Sequence, residues 1–398
     1  MLPAVILAAL RQEETFPMKT KRRKLIGKVH KRNRWITGAG MLAAALILQL
    51  LARFVPGFGQ WYAVTVYPAL VLAVGGIFGL VPFSAAEVGL YLLVPMTLWY
   101  GGFHIHKGRS GSMRKELGAI GSGAFCLIGF LAFSYTACCG INYYRQPFSS
   151  YLDLEVRDSS AEELEALCCF LKEQLEETAR EILKERGTLD SGIQTRKNFP
   201  KQARADMKKL GKSYPQLDAP YPVPKPVFIS EILSIQSLSG VYAPFTIEAN
   251  YNRHMTAYNI PHTACHELSH LNGFMREEEA NFIGYLACVG SDSLYSRYSG
   301  YATGFVYANN ALFSQKPEQA FMLYSGLPEA VLEDFRENNA FWKRYEGRIS
   351  EASAKINDTY LKANSQTEGV KSYGQVVDLL LAYYRADMGQ EAEEVAAD

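Results

Sequence analysis

The stretch 262–281, HTACHELSHLNGFMREEEAN, contains the pattern HExxH, which begins at His266 and ends at His270. On a helix these two histidines lie one turn apart on the same face, so both imidazoles can reach one ion. Glu267 lies beside them and can hold a metal-bound water and accept its proton. The stretch therefore predicts a zinc site on a helix, with Glu267 as the catalytic base.

The residues on either side of the motif predict how its helix begins and ends. Pro261 suits the first turn of a helix, and Gly273 suits a position just after its last residue. A second helix is predicted from Arg276, through EEEANFIGYLACVG. Its acidic residues would lie at the N-terminus, where the helix dipole favours negative charge. We expect a helix, a tight turn and a second helix.

A zinc enzyme of this type needs a third protein ligand and an open position for water. Glu277 is the preferred candidate, and Glu278 and Glu279 compete with it. Asn281 follows Glu277 by four residues on the same helix face, where it could hydrogen-bond a ligand. An isolated run of acids usually marks a solvated helix start, but the neighbouring HExxH favours a ligand here.

His262 precedes His266 by four residues, so the helix carries a stripe of three histidines. His262 would occupy the first turn, where a helix frays. We therefore expect it near the metal site, supporting the ligands or lying at the surface, rather than binding the ion. The sequence does not identify residues that bind substrate.

Charge is distributed very unevenly along the 398 residues, although the net charge is only +1. Such a balance, without a recognition motif, predicts no nucleic-acid partner. The stretch from Lys19 to Arg34 nevertheless contains nine Lys and Arg residues and no acid. An apolar segment follows directly, so residues 1–34 are predicted to form a basic cytoplasmic N-terminus.

Residues 35–144 are predicted to form a membrane region. Three apolar runs, at 35–52, 88–106 and 117–144, are long enough to cross a bilayer. A further uncharged run, 61–80, is interrupted by Pro68 and by glycines. If it also crosses, there are four spans and the later domain is cytoplasmic. If it lies in the interface or re-enters, there are three spans and that domain is extracytoplasmic.

The basic loop 107–115 bears on this choice, because it contains four Lys and Arg residues. The positive-inside rule favours placing it on the same side as the basic N-terminus. We therefore expect three spans, a lipid bilayer as a partner, and a multi-pass protein of the cell membrane with an extracytoplasmic metal domain.

Residues 145–390 are predicted to form that domain, followed by an acidic tail at 391–398. Ser160 and Glu163 have the spacing of a capping box at the start of an amphipathic helix that Gly187 ends. Two extended segments, 226–229 and 240–250, predict a small sheet before the metal helix. The fold class is thus mostly α, with N-terminal transmembrane helices followed by a zincin-like α+β domain with a small sheet. A strand edge beside the metal could bind substrate as an added strand, and a plain structural hairpin is the alternative.

Four segments carry a resemblance to a known family: SGVYAPFTIEAN, HTACHELSHLNGFMREEEANF, NDTYLKAN and SYG-x-VVDLLLAYY. They resemble a bacterial family of membrane-anchored HExxH proteins of unknown function, whose members are similar to gluzincin-type zinc metallopeptidases. The resemblance covers most of the chain. It implies zinc as the cofactor, held by His266, His270 and Glu277, with Glu267 as the base and a protein or peptide as substrate. Ile247 departs from it, since glycine is expected in PFT-x-EAN.

Two other functions remain open at this point. A membrane sensor or assembly factor could keep the metal site without turnover, and a shielded site would favour it. Alternatively, HExxH could be accidental in a structural membrane component, and such a protein would carry no stoichiometric zinc.

Overall fold

A computed structural model describes Val29 and residues 31–152, 154–363 and 373–397. The chain is mostly helical with one small sheet, which confirms the predicted fold class. Most of the predicted basic N-terminus, residues 1–28 and 30, lies outside the described residues.

Four N-terminal helices are long and apolar enough to cross a membrane, by length and composition. They are α1 (Lys31–Phe54), α2 (Phe58–Phe78), α3 (Ala85–Arg109) and α4 (Met113–Cys138). The stretch Val71–Gly75 of α2 is a π-helical turn. These helices support an association with membrane, and the number that cross it stays a prediction.

The chain divides into two compact units, and α2 does not belong with most of the other apolar helices. One unit comprises Met1–Leu50 and Gly89–Ala137, and the other comprises Leu51–Val88 and Cys138–Asp398. Within the first unit, Gly38 and Gly129 let α1 and α4 approach closely, since a Cβ on Gly129 would lie 3.0 Å from the Gly38 Cα. In the second unit, α2 folds together with the segment that contains HExxH.

The second unit begins its helical core with α5 (Ala161–Arg186) and α6 (Gly192–Ser213). The predicted capping box of α5 is present, because the Glu163 backbone N–H donates to Ser160 and the Glu163 carboxylate accepts from the Ser160 N–H. Gly187 follows the helix with a φ of 73°, a left-handed conformation that glycine adopts without steric cost. The leucines at helical spacing on α5 are buried, as their pattern predicts.

Three short strands form the sheet: β1 (Lys225–Pro226), β2 (Gly240–Ala243) and β3 (Glu248–Tyr251). Their order is β1-β3-β2, with β3 parallel to β1 and antiparallel to β2. A short helix, α7 (Glu231–Ile235), lies between β1 and β2 in sequence. Because β2 pairs only with β3 among the described strands, it is an edge strand.

The turn between β2 and β3 explains the unexpected Ile247. Its φ is 51°, in the left-handed region where glycine is strongly favoured. Ile247 is fully buried, and a Cβ on Gly75 of α2 would lie 3.2 Å from its Cγ2. The packing of this side chain against α2 offsets backbone strain that a β-branched residue has at this φ.

The remaining helices enclose the metal-site segment: α8 (Asn259–Leu271), α9 (Glu277–Val289), α10 (Leu294–Gln315), α11 (Pro317–Ser325), α12 (Glu329–Lys343), α13 (Arg348–Ala363) and α14 (Tyr373–Ala397). The helix, turn and helix predicted around HExxH are present as α8 and α9. Helix α14 runs to Ala397, so most of the acidic tail predicted at 391–398 continues this last helix, and Asp398 lies outside the described residues.

Candidate metal centre

Helix α8 places both motif histidines on the face that borders a cavity. The ring centroids of His266 and His270 are 4.6 Å apart, with their planes at 87°. Helical spacing produces this pairing, since residues four apart lie one above the other. Glu267 is buried beside them and lines the same cavity.

Glu277, the first residue of α9, joins His266 and His270 to form a group of three candidate metal ligands. Its carboxylate oxygens lie 3.4 Å from His266 Nε2 and 3.6 Å from His270 Nε2. One ligand atom from each of the three residues lies within 4.8 Å of the other two. Of the three candidate acids, this is the one that the described structure brings to the histidines. The Glu279 carboxylate instead accepts from the Phe148 N–H at 2.8 Å.

The turn between α8 and α9 orients His270. Its Nδ1 donates to the Phe274 carbonyl oxygen at 2.8 Å, which leaves Nε2 unprotonated toward Glu277. Gly273 precedes Phe274 with a φ of 93°, so the helix ends in a left-handed residue where the sequence predicts. The helix end itself thus supplies the hydrogen bond that fixes the tautomer of this candidate ligand.

Arg145 holds the same turn from outside. Its guanidinium donates to the Asn272 carbonyl at 2.8 Å and lies 3.6 Å from the Phe274 ring centroid. The side chain is buried. A cation at a helix C-terminus interacts favourably with the dipole and with the last carbonyl groups. Arg145 therefore positions His270 indirectly: it contacts Asn272 and Phe274, and Phe274 accepts the hydrogen bond from His270.

The charges of the group suit a divalent cation. Burial opposes the ionisation of Glu277, but His270 and His266 together lower its pKa to about 2. Burial lowers the pKa of His270 to about 4. Burial opposes the charging of His266 as well, yet the hydrogen bond and charge of Glu277 raise its pKa. Near neutral pH the Glu277 carboxylate is ionised and His270 is neutral, as metal ligation requires, whereas the raised pKa of His266 favours a proton that a bound cation would displace.

Glu267 is not one of the three candidate metal ligands, and it lines the same cavity. Burial raises the pKa of its carboxyl to about 8. Its Oε2 is buried and has no hydrogen-bond partner among the described residues. A Cβ on Gly240 would lie 2.8 Å from the Glu267 Cγ, so the glycine that begins β2 lets the strand lie directly against the carboxylate. Two imidazoles, one carboxylate and an adjacent unpaired carboxylate oxygen fit zinc with its water.

His262 and Asn281 lie behind the group and join the two helices. His262 Nε2 donates to the Asn281 carbonyl oxygen at 3.1 Å, and the His262 and His266 ring centroids are 6.5 Å apart. Burial lowers the pKa of His262 to about 3, so the ring stays neutral. The Asn281 side-chain oxygen accepts from the Tyr307 hydroxyl at 3.2 Å. Neither His262 nor Asn281 belongs to the three-residue group, and both border the cavity.

A cavity of about 710 Å³ contains the metal group and Glu267. Edge strand β2 borders it, together with residues of α8, α10, α12 and α13. The Glu277 side chain is 32 % exposed, so the group is accessible to solvent. The described lining residues include no Lys or Arg, and six asparagines besides Asn281 contribute amide groups: Asn259, Asn309, Asn310, Asn338, Asn339 and Asn357.

Two of these asparagines, Asn338 and Asn309, differ in the hydrogen bonds that their amide oxygens accept. The Asn338 Oδ1 accepts three hydrogen bonds, from Thr256, Asn259 and Trp342, at 2.8–3.1 Å. The Asn309 Oδ1 is buried without a partner among the described residues. The asparagines that line the cavity therefore include both a hydrogen-bonded amide cluster and a buried amide oxygen with no partner among the described residues.

Gly240 and the asparagines were not predicted from the sequence as cavity residues. Only the position of Gly240 at the start of an extended segment before the metal helix gave a signal. The asparagines come from four separate helices, so no spacing along the chain connects them.

One comparison with known proteins yields a match. The family model described as Protein of unknown function (DUF3810) matches residues 62–381, well over half of the chain. No curated protein and no solved structure matches significantly. The matched region begins in α2 and includes the whole candidate metal centre, and the chain therefore belongs to the DUF3810 family.

Proposed function

We propose that the protein is a membrane-anchored zinc metallopeptidase. The observation that carries this proposal is the convergence of His266, His270 and Glu277, with Glu267 beside them, in an accessible cavity. When bound, zinc would lower the pKa of a water molecule and polarise a peptide carbonyl. The three converging residues would hold the ion, and the resemblance of the sequence to zinc peptidases points the same way.

Glu267 is the proposed base. Its buried carboxylate would accept a proton from the attacking water and pass it to the leaving amine. A pKa raised by burial suits the second step, because the protonated carboxyl can deliver its proton to the amine, and a cation beside it would favour the ionised form that the first step needs. Gly240 supports this role by leaving room for Glu267 against β2.

The residues that line the cavity support a peptide as the substrate. Edge strand β2 borders the cavity, and an extended peptide could pair with such an edge through its backbone. The asparagine amide groups that line the cavity can donate to and accept from peptide groups without requiring a charge. The exposure of Glu277 argues against a shielded site, which the alternative of a non-catalytic sensor or assembly factor would favour.

The proposal is tested with the purified full-length protein. Glu267→Gln should retain zinc, measured by mass spectrometry, and should lose cleavage of a peptide library. The matched variant His266→Ala should lose both zinc and cleavage. Cleavage that persists in Glu267→Gln would remove the proposed base, and wild-type protein without stoichiometric zinc would remove the metal site.

We further propose a multi-pass arrangement with three spans and an extracytoplasmic metal-binding unit. The packing of α2 supports it, because the Tyr67 hydroxyl lies 2.8 Å from the Tyr242 hydroxyl and donates to the Leu271 carbonyl at 3.0 Å. One side of α2 is thus covered by protein rather than by lipid. A cysteine at Gly187, in a Cys169→Ser background, should react with an impermeant maleimide added to intact cells. Labelling only after lysis would place the unit inside.

A further inference from the structure

We propose that the metal-binding unit contacts the lipid bilayer through a surface of its own, separate from the spans. This surface, called the Phe228 surface below, consists of Phe228, Ile229, Ile232 and Ile235. It does not depend on the proposed peptidase activity.

The Phe228 surface combines four large apolar side chains within eight residues, all exposed. Ile232 and Ile235 are three residues apart on α7, so they lie on one side of that helix. The Ile232 N–H donates to the Ile229 carbonyl at 3.1 Å, so the preceding turn is continuous with the helix. Single exposed apolar residues are common, but a contiguous cluster marks an interaction surface.

The position of this surface is fixed by Glu87, in the first turn of α3. The Glu87 carboxylate accepts from the Phe228 N–H at 2.7 Å and from the Ile229 N–H at 2.8 Å. Glu87 is the last charged residue before the apolar run of α3, a helix long enough to cross the membrane. The Phe228 surface is therefore held at the point where a candidate span begins, which is where a bilayer surface is expected.

A second carboxylate also binds the start of α3. Glu248 of β3 accepts from the Ala85 and Ala86 N–H groups at 3.1 and 2.8 Å, at the N-terminus of α3. Buried Lys225 pairs with Glu248 and also donates to the Phe78 carbonyl at the end of α2, at 2.7 Å. Both ends of the α2–α3 connection are thus fastened to the sheet, close to the chain segment that leads to Phe228.

Exposed apolar side chains also occur on α2. Trp61, Val64, Leu72 and Ile77 are exposed there, and Leu80, just after the helix, is exposed as well. Helix α2 and the Phe228 surface belong to one compact unit, and the end of α2 accepts a hydrogen bond from Lys225, three residues before Phe228. A lipid occupant explains both, because α2 has the length and composition of a membrane segment.

Arg253 supports a location at the lipid headgroups. Its guanidinium lies 5.1 Å from the centroid of the Phe228 ring, and its side chain is exposed. An arginine beside an aromatic ring can place its apolar stem along the hydrocarbon boundary while its charge reaches a phosphate. The chemistry of the surface therefore fits an anionic phospholipid bilayer better than a water-exposed surface.

The test uses photocrosslinking in the full-length chain, reconstituted in phosphatidylethanolamine and phosphatidylglycerol vesicles that contain an alkyne-labelled phospholipid. p-Benzoylphenylalanine replaces Phe228, which is 70 % exposed. The matched control replaces Phe321 on α11, which is 65 % exposed, and the span reference replaces Trp99 on α3, which is 70 % exposed. A second probe replaces Ile232.

Lipid adducts should form at Phe228, Ile232 and Trp99, and several-fold less at Phe321. Absence of adducts at Phe228 and Ile232 would overturn the proposal. Equal labelling at Phe321 would also overturn it, because the contact would not be specific to this surface. Crosslinks between two protein chains in place of lipid adducts would show that the surface is covered by a second copy.

Discussion

At the scale of single residues, the candidate site depends on close packing between groups far apart in sequence. Gly240 lies against Glu267, and His262 lies against Asn281. Such contacts position a base more accurately than a helix can by itself, because a displacement of about 1 Å can reduce a rate by about a hundredfold.

Gly240→Ala should reduce peptide hydrolysis by about tenfold or more while zinc remains bound. The added Cβ would meet the Glu267 Cγ at 2.8 Å and the Asn250 carbonyl oxygen at 2.9 Å, so either the carboxylate or the strand must move. Hydrolysis and zinc content are measured on the same preparation. The control is Gly347→Ala, whose Cβ would have no neighbour within 4 Å. Equal activity in both variants would show that β2 does not restrict Glu267.

Asp334, which lies outside the candidate metal centre, should make the stability of the folded protein depend on pH. Burial raises the pKa of its carboxyl to about 6, although the Tyr298 hydroxyl donates to it at 2.8 Å. Because the unfolded value is lower, about 3.9, ionisation increasingly destabilises the folded state from about pH 4 to pH 6 and remains unfavourable above that. Asp334→Asn keeps the acceptor and removes the charge. Its melting temperature should exceed that of wild type by a few degrees at pH 7.5, with a smaller gap at pH 5. A gap that does not change with pH would contradict this explanation.

At the scale of elements, the site is a pair of helices and the turn between them. Helix α8 contributes two candidate ligands and the proposed base, and α9 contributes the third candidate ligand from its first residue. The turn between the two helices determines whether the three candidate ligands converge. Arg145 holds this turn through the Asn272 carbonyl and the Phe274 ring.

Arg145→Lys should weaken zinc binding by about tenfold or more, an effect typical of lost support behind a metal ligand. Lysine keeps the positive charge but cannot both stack on Phe274 and bond the Asn272 carbonyl with a planar fork. The dissociation constant is measured by competition with a zinc indicator. The control is Arg336→Lys, an exposed residue paired with Glu329. Unchanged affinity in Arg145→Lys would show that the turn keeps its geometry without the guanidinium.

At the scale of the whole molecule, the metal-binding unit includes part of the apolar region. Helix α2 packs on the sheet and on the end of α8 through Gly75 and Tyr67. Since the candidate metal ligands come from two helices of this unit, a bound ion would link the helices and stabilise the unit as a whole.

Removal of zinc should therefore lower the melting temperature of the full-length protein by several degrees. Zinc at about a thousandfold above its dissociation constant stabilises a folded state by about 4 kcal/mol. The measurement compares chelated and zinc-loaded protein by thermal unfolding in detergent. The same comparison in His254→Ala, outside the metal group, should give the wild-type shift, and His266→Ala should give none. A full shift in His266→Ala would place the bound zinc elsewhere.

Structural features that lie within a single helix or turn could be predicted from the sequence. The capping box at Ser160, the end of α8 at Gly273 and the pairing of His266 with His270 all follow from helical geometry within a few residues. The preference for Glu277 over Glu278 and Glu279 rested on the Asn281 that follows it by four residues, and the structure brings Glu277 to the histidines.

The sequence by itself determined the helices, the motif face and the apolar segments, because these depend on spacing and composition within one segment of chain. Only the tertiary structure decided that α2 packs in the unit that contains the candidate metal centre, that Gly240 lies against Glu267, and that asparagines from separate helices line one cavity. Hydropathy is the same for a helix face buried in lipid and one buried in protein, so it could not separate these environments. Contacts between distant segments depend on how the elements pack, which no local pattern contains.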